Sequence, residues 1–173
     1  MPKGTEADRP DELCRRAADG PIRIIVDTRE KPRAITKILA HFEQQGIEVV
    51  RQKLNVGDYM IEGQNEISVD RKQTLLEVCS NLCQDHDRFI RECERAKEDG
   101  THLVVLVEHG GKIKSIDDVA QWVNPRLKFS PYAVSGRRLM RMMKTTAARH
   151  SIEWQFCRKD QTGRKIIEIL SRE

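Results

Sequence analysis

Apolar positions along the chain recur with two periods, and the switches between them mark out a series of elements. Ile22-Arg23-Ile24-Ile25-Val26 is short and rich in β-branched residues, which predicts a buried strand ending at Asp27. Ile35, Ile38, Leu39 and Phe42 then fall at i, i+3, i+4 and i+7 ahead of Gly46, the spacing of one face of an amphipathic helix over residues 33–45. Ile47 to Leu54, Tyr59 to Ile61 and Ile67 to Asp70 predict three strands, the last reached through the polar turn 62–65, and together they suggest an antiparallel meander. A helix begins at Thr74 and carries Leu75, Val78, Cys79 and Leu82 on one face; another runs from Asp87 to Asp99 and stops at Gly100. Leu103-Val104-Val105-Leu106-Val107 is apolar without alternation, the mark of a strand covered on both faces. A short helix from Asp117 to Trp122, a Pro-containing loop, a helix from Ser135 to Arg149, a strand from Ile152 to Phe156 and a helix from Gln161 to Leu170 complete the reading. Strands alternating with helices need crossovers on both sides of a sheet, so the predicted class is α/β, a mixed central sheet flanked by helices on both faces.

Length and composition narrow this picture. A chain of 173 residues is one domain of ordinary size. Residues 1–20 hold five acids and four bases among scattered apolar positions, a composition expected of a flexible tail, which leaves residues 21–173 as the folded domain. The five cysteines are an odd number and no apolar secretory segment precedes them, so reduced thiols in a cytosolic or nuclear compartment are expected. No apolar run approaches the roughly 20 residues needed to span a bilayer, and no membrane partner is expected. The net charge of +4 is too small to announce a polyanionic partner, but its distribution is uneven. Between Val119 and Ile152 there is no acid, while Arg126, Lys128, Arg137, Arg138, Arg141, Lys144 and Arg149 all lie there.

Candidate chemistry concentrates in Val56-Gly57-Asp58-Tyr59 and Val69-Asp70-Arg71-Lys72. Side chains alternate faces along a strand, so Asp70 and Lys72 share a surface and Arg71 points to the other. If the strand after Asp58 pairs with the strand ending at Asp70, the two carboxylates reach one cavity, where their repulsion is relieved by a divalent cation. Hard oxygen ligands suit Mg²⁺ or Mn²⁺ rather than Zn²⁺. With Lys72 alongside to orient water or stabilise developing charge, such a centre suits phosphodiester hydrolysis. Asp27-Thr28-Arg29-Glu30 forms a second acidic cluster directly after the first strand, where a turn capping the next helix is the plainer reading.

On the helix from Ser135, Arg137, Arg141 and Lys144 fall at i, i+4 and i+7 opposite Leu139, Met140, Met143 and Ala147, a basic stripe suited to DNA phosphates. Trp122 is read as core, Tyr132 as a residue able to stack on an unpaired base. Cys79, Cys83 and His86 share a helical face that with Cys93 could hold Zn²⁺, but packing is the favoured reading. No Gly-x-x-x-x-Gly-Lys-Ser/Thr loop is present, so ATP is not expected as a partner.

Val26-Asp27-Thr28-Arg29-Glu30, Val56-Gly57-Asp58-Tyr59 and Val69-Asp70-Arg71-Lys72, in this order and spacing, resemble the nuclease domain of the XPF family of structure-specific DNA endonucleases, within the PD-(D/E)xK superfamily. The resemblance extends from about Pro21 to Leu170 and is closest to small stand-alone versions from phages and bacterial mobile elements. It implies a restriction-endonuclease-like fold and a metal-dependent endonuclease for branched, flapped or forked DNA in repair, recombination or replication. It also implies that Asp27, Glu30, Asp58 and Asp70 bind Mg²⁺ or Mn²⁺ with the Arg71 carbonyl, that Lys72 is the catalytic lysine, and that Arg29 and Arg71 contact phosphate or position the acids. A homodimer is implied, and a cytoplasmic location, nucleoid-associated in a bacterium or phage and nuclear in a eukaryote. The family usually has Glu at the position of Asp70, and an Asp where this chain has Leu76, next to Glu77. The competing readings are a nuclease fold that binds DNA without cleaving it, a sequence-specific restriction-type nuclease, and a subunit supporting another nuclease.

Overall fold

The computed structural model describes residues 21–172, so the expected N-terminal tail lies outside the described residues. Six strands, β1 (Arg23–Val26), β2 (Glu48–Arg51), β3 (Tyr59–Ile61), β4 (Ile67–Lys72), β5 (His102–Glu108) and β6 (Glu153–Cys157), alternate with five helices. These are α1 (Pro32–Gln44), α2 (Leu75–Cys83), α3 (His86–Glu98), α4 (Gly136–His150) and α5 (Thr162–Leu170). The strands form one mixed sheet in the order β2-β1-β3-β4-β5-β6, so the predicted class holds.

The meander is corrected. Only β3 and β4 form the expected antiparallel pair, meeting at Tyr59 and Val69. Helix α1 returns the chain to its starting edge, so β2 runs parallel to β1, with Arg23 opposite Glu48 and Val26 opposite Arg51. β2 has no fully buried residue and takes the sheet margin, while β3, with Tyr59 and Ile61 buried, enters between β1 and β4. The segment expected to extend β2 to Leu54 instead turns back toward β3 through Gly57, whose φ of +68° is left-handed. The turn from Asp117 to Gln121 is a 3-10 helix rather than an α-helix.

The unbroken apolar run of β5 divides between two cores. Val104 and Leu106 join Ile35, Ile38, Phe42 and Ile166 under α1 and α5. Leu103, Val105 and Val107 join Val78, Phe89, Leu139 and Met143 under α2, α3 and α4. Helix α2 is capped by Thr74, which accepts from the Glu77 amide at 3.1 Å, while Glu77 reaches back to accept from the amide of Gln73, just before the cap, at 2.8 Å. The acid beside Leu76 thus serves the helix end.

Strand directions gather the polar motifs. The ends of β1 and β4 lie beside the start of β3, so Asp27, Asp58, Asp70, Arg71 and Lys72 all reach one edge of the sheet. β5 runs parallel to β4 and ends at that edge with Glu108.

Candidate active site

Asp58 immediately precedes β3, and its backbone is pinned on both sides: its amide donates to the Val69 carbonyl at 2.8 Å and its carbonyl accepts from the Asp27 amide at 2.8 Å. Its Oδ2 accepts from the Arg71 amide at 2.9 Å, which fixes the carboxylate against β4. In a strand the amide and carbonyl of one residue leave on the same side, so the Arg71 carbonyl faces this carboxylate too. Burial, then the charges of Asp70 and Glu30, hold the Asp58 carboxyl well above its ordinary value.

Asp70 and Lys72 share a face as the strand alternation requires, with Lys72 Nζ 2.9 Å from Asp70 Oδ1. Asp70 Oδ2 is buried and lies at the same 2.9 Å from Lys72 Nζ, an ion-pair contact without hydrogen-bond alignment. Burial opposes the charge on Lys72, but Asp70 outweighs it and keeps the ammonium above its ordinary range. Its Nζ also stands 5.9 Å over the Phe89 ring. A lysine held in its cationic form is unsuited to abstracting a proton and suited to meeting negative charge.

Sequence reasoning missed Glu92. On α3, Phe89, Glu92, Cys93 and Ala96 fall at i, i+3, i+4 and i+7, so this acid interrupts the apolar stripe; a carboxylate in such a stripe was the available signal. Glu92 Oε1 accepts from the Gly57 amide at 3.0 Å, and burial and Asp70 push its carboxyl up. Glycine is required at 57 because a Cβ would stand 2.2 Å from Ser68 Oγ and 3.0 Å from the Val69 carbonyl oxygen.

The other two expected acids have different partners. Arg29 forks onto Asp27, Nε to Oδ1 at 2.7 Å and Nη2 to Oδ2 at 3.0 Å, and the Arg29 and Leu54 amides donate to the same carboxylate at 2.7 and 2.6 Å. Burial opposes ionisation of Asp27, but these donors outweigh it and hold the carboxyl below its ordinary value. Asp27 therefore clamps the loop between β2 and β3. Glu30 Oε2 accepts from Arg71 Nε at 2.8 Å and from the Tyr59 hydroxyl at 3.0 Å. On the far face of β4, Arg71 Nη1 reaches Glu108 Oε1 at 3.1 Å, and Thr162 donates to that oxygen at 2.9 Å. The Arg71 side chain is only 1% exposed and braces the core instead of facing solvent.

Among the described residues, no three His, Cys, Asp or Glu side chains stand close enough to enclose a metal ion alone. Mg²⁺ does not require that, since it commonly keeps several waters and binds one or two carboxylates together with substrate phosphate. Asp58, Asp70 and the Arg71 carbonyl form such an all-oxygen set, with Lys72 paired to Asp70. The cysteine group does not suit Zn²⁺. Cys79 and Cys93 are buried in the core under α2, α3 and α4, and among the described residues these side chains form no group able to hold a metal ion.

Two groups of basic residues stand out on the domain. Arg29, Lys53 and Arg95 line a cleft of about 480 Å³ with Leu54 and Asn55. In the acid-free segment, Arg126, Lys128, Arg137, Arg138, Arg141 and Lys144 are all exposed, those of α4 as the helix periodicity predicts. Lys144 pairs with Asp117, just outside the acid-free segment, so its charge is partly compensated. Leu139 and Met143 are buried, and Met140, Met142 and Trp122, each half-buried, pack at the margin of the core.

This fold, with an Asp-x-Lys strand end beside a Gly-Asp turn, defines a nuclease-type domain, and the chain belongs to the ERCC4 domain family, whose model matches residues 26–168. Among solved structures its fold is similar to XPF from Aeropyrum pernix, at a TM-score of 0.60 and 22% identity over 86% of this chain and 63% of that one. A second structure, XPF from Aeropyrum pernix in complex with DNA, gives a TM-score of 0.60 and 24% identity over 87% of this chain and 64% of that one. The chain thus spans a little under two thirds of the structures it matches. No curated protein matches it.

Proposed function

We propose that the chain is a Mg²⁺- or Mn²⁺-dependent endonuclease that hydrolyses phosphodiester bonds in branched, flapped or forked DNA. The observation that carries this reading is the convergence of Asp58 and the buried Asp70, close enough for their charges to oppose each other, beside the cationic Lys72 at one sheet edge. Asp58, Asp70 and the Arg71 carbonyl would hold the cation. When bound it supplies Lewis acidity toward a phosphoryl oxygen and toward water. Lys72 offers fixed positive charge to the phosphoryl oxygens as they become more negative, a role its retained proton allows. Asp27 and Glu30 act by holding the loop and the strand that carry these groups. Arg29, Lys53 and Arg95 offer one set of phosphate contacts, and Arg126, Arg137, Arg138 and Arg141 another. Family membership and the DNA-bound relative support DNA as the substrate.

Asp58→Ala and Asp70→Asn, assayed on a 3′-flap and a fork with Mg²⁺, are expected to abolish cleavage while leaving the fold intact by circular dichroism. Cleavage at the parent rate by either folded variant would remove the centre from the chemistry. Equal cutting of linear duplex and branched DNA of one sequence would remove structure specificity. The proposal extends to a homodimer, for which light scattering should give twice the chain mass of 20.0 kDa.

A further inference from the structure

The segment between β5 and α4 leaves two aromatic side chains almost wholly in water, Phe129 at 89% and Tyr132 at 90% exposure. Elsewhere in the domain Phe42, Tyr59 and Phe89 are buried and Phe156 is half-buried, so these two stand apart. Their loop is not slack. Asn124, itself buried, donates from Nδ2 to the Val134 carbonyl at 2.8 Å and accepts at Oδ1 from the Arg126 amide at 3.0 Å, closing the loop at its base. The Phe129 and Ser130 amides both return to the Arg126 carbonyl at 3.0 Å, and the Ala133 amide to Ser130 at 3.2 Å. Gly136 seats α4 directly against the start of the loop, since a Cβ there would stand 2.4 Å from the Val119 and Trp122 carbonyl oxygens. Aromatic tip and basic helix therefore form one ordered unit.

The topology puts this unit at the edge that carries Asp58, Asp70 and Lys72. The chain leaves β5 at that edge and returns along α4 to begin β6, which is parallel to β5, at the opposite one. The N-terminus of α4 and the loop before it consequently share the edge with the candidate centre. Arg126 and Arg138 exert their field on Cys79, in the α2 helix that opens just after Lys72.

Nothing in the segment from Val119 to Ile152 is acidic, and Arg126 and Lys128 directly precede Phe129. The same face on a second copy would bring like charges together, which disfavours a self-contact. A polyanion with exposed flat faces satisfies both features, cations for phosphates and rings for bases. Paired bases in a duplex are already stacked and offer no free face.

We infer that Phe129 and Tyr132 form a stacking platform for the unpaired nucleobases of a single-stranded arm, with Arg126 and Lys128 on its phosphates. This inference rests on the endonuclease reading and adds to it the part of the substrate that is gripped.

Fluorescence anisotropy with labelled oligo-dT and a duplex of matched length, both without divalent cation, tests it. Phe129→Ala combined with Tyr132→Ala is expected to bind oligo-dT at least about tenfold more weakly while duplex affinity stays within about twofold, because each base stack contributes independently of sequence. Phe129→Trp with Tyr132→Trp should retain oligo-dT binding. Both side chains are exposed, so the melting temperature should not move. Unchanged oligo-dT binding, an equal loss on both DNAs, or a change in oligomeric mass would each overturn the platform. A parent that cleaves a fork with Mg²⁺ while the double alanine variant binds oligo-dT normally leaves the nuclease standing and removes only the platform. A parent that neither binds nor cleaves any DNA removes both.

Discussion

Arg71→Ala separates a structural brace from a DNA contact. The Arg71 guanidinium places Nε and Nη2 at 2.8 and 2.7 Å from Glu30 Oε2, and Nη1 at 3.1 Å from Glu108 Oε1. The Glu108 side chain is 3% exposed, and its Oε2 has no hydrogen-bond partner, so without the arginine its charge is left buried with only Thr162 for company. Breaking a buried pair by removing one partner typically costs about 3–5 kcal/mol. Against a usual total of about 5–15 kcal/mol that is about a fifth or more of the stability. At about 2–4 °C per kcal/mol for a chain of this size, the melting temperature should fall by about 6–20 °C. Urea denaturation followed by far-ultraviolet circular dichroism measures the difference directly. Glu108→Gln and the double variant complete a cycle in which the two losses should not add, because the residues share one ion cluster. A loss below about 1 kcal/mol, within the range of a solvent-exposed pair, would refute the brace. Parent-like stability with lost DNA binding would return Arg71 to the phosphate-contacting role.

Glu92→Gln keeps an acceptor for the Gly57 amide but removes a charge beside Asp70, so half-maximal cleavage should need about tenfold more Mg²⁺, the scale of a supporting-shell change; an unchanged Mg²⁺ titration would separate Glu92 from the cation. Gly57→Ala meets both a left-handed φ of +68° and the 2.2 Å approach to Ser68 Oγ, and should lose about 2 kcal/mol or more together with activity, read by denaturation and fork cleavage. Burial opposes ionisation of Glu153, but His102, Gln155 and Arg172 outweigh it and hold the carboxyl at about 2, below its ordinary 4.5. Because the folded value is depressed, this contribution is present above pH 4.5 and is lost as pH falls toward about 2; Glu153→Gln should flatten that part of the stability profile, and an unaltered slope would contradict the assignment.

Local periodicity determined most of the elements, the two-sided covering of β5, and the shared face of Asp70 and Lys72, because spacings of 3.6 and 2 residues are properties of the chain itself. The partners of each charge were decided only in three dimensions. The family resemblance implies Asp27 and Glu30 as ligands like Asp58 and Asp70, yet in the fold Arg29, Leu54, Tyr59 and Arg71 donate to them. Glu92 became part of the site because α3 packs its stripe against β5, the neighbour of β4, and β2 moved to the sheet margin because α1 reversed the chain. A motif fixes which groups are available, whereas the strength of a charge's interactions depends on distance and burial across elements far apart in sequence, and those are set by the tertiary structure.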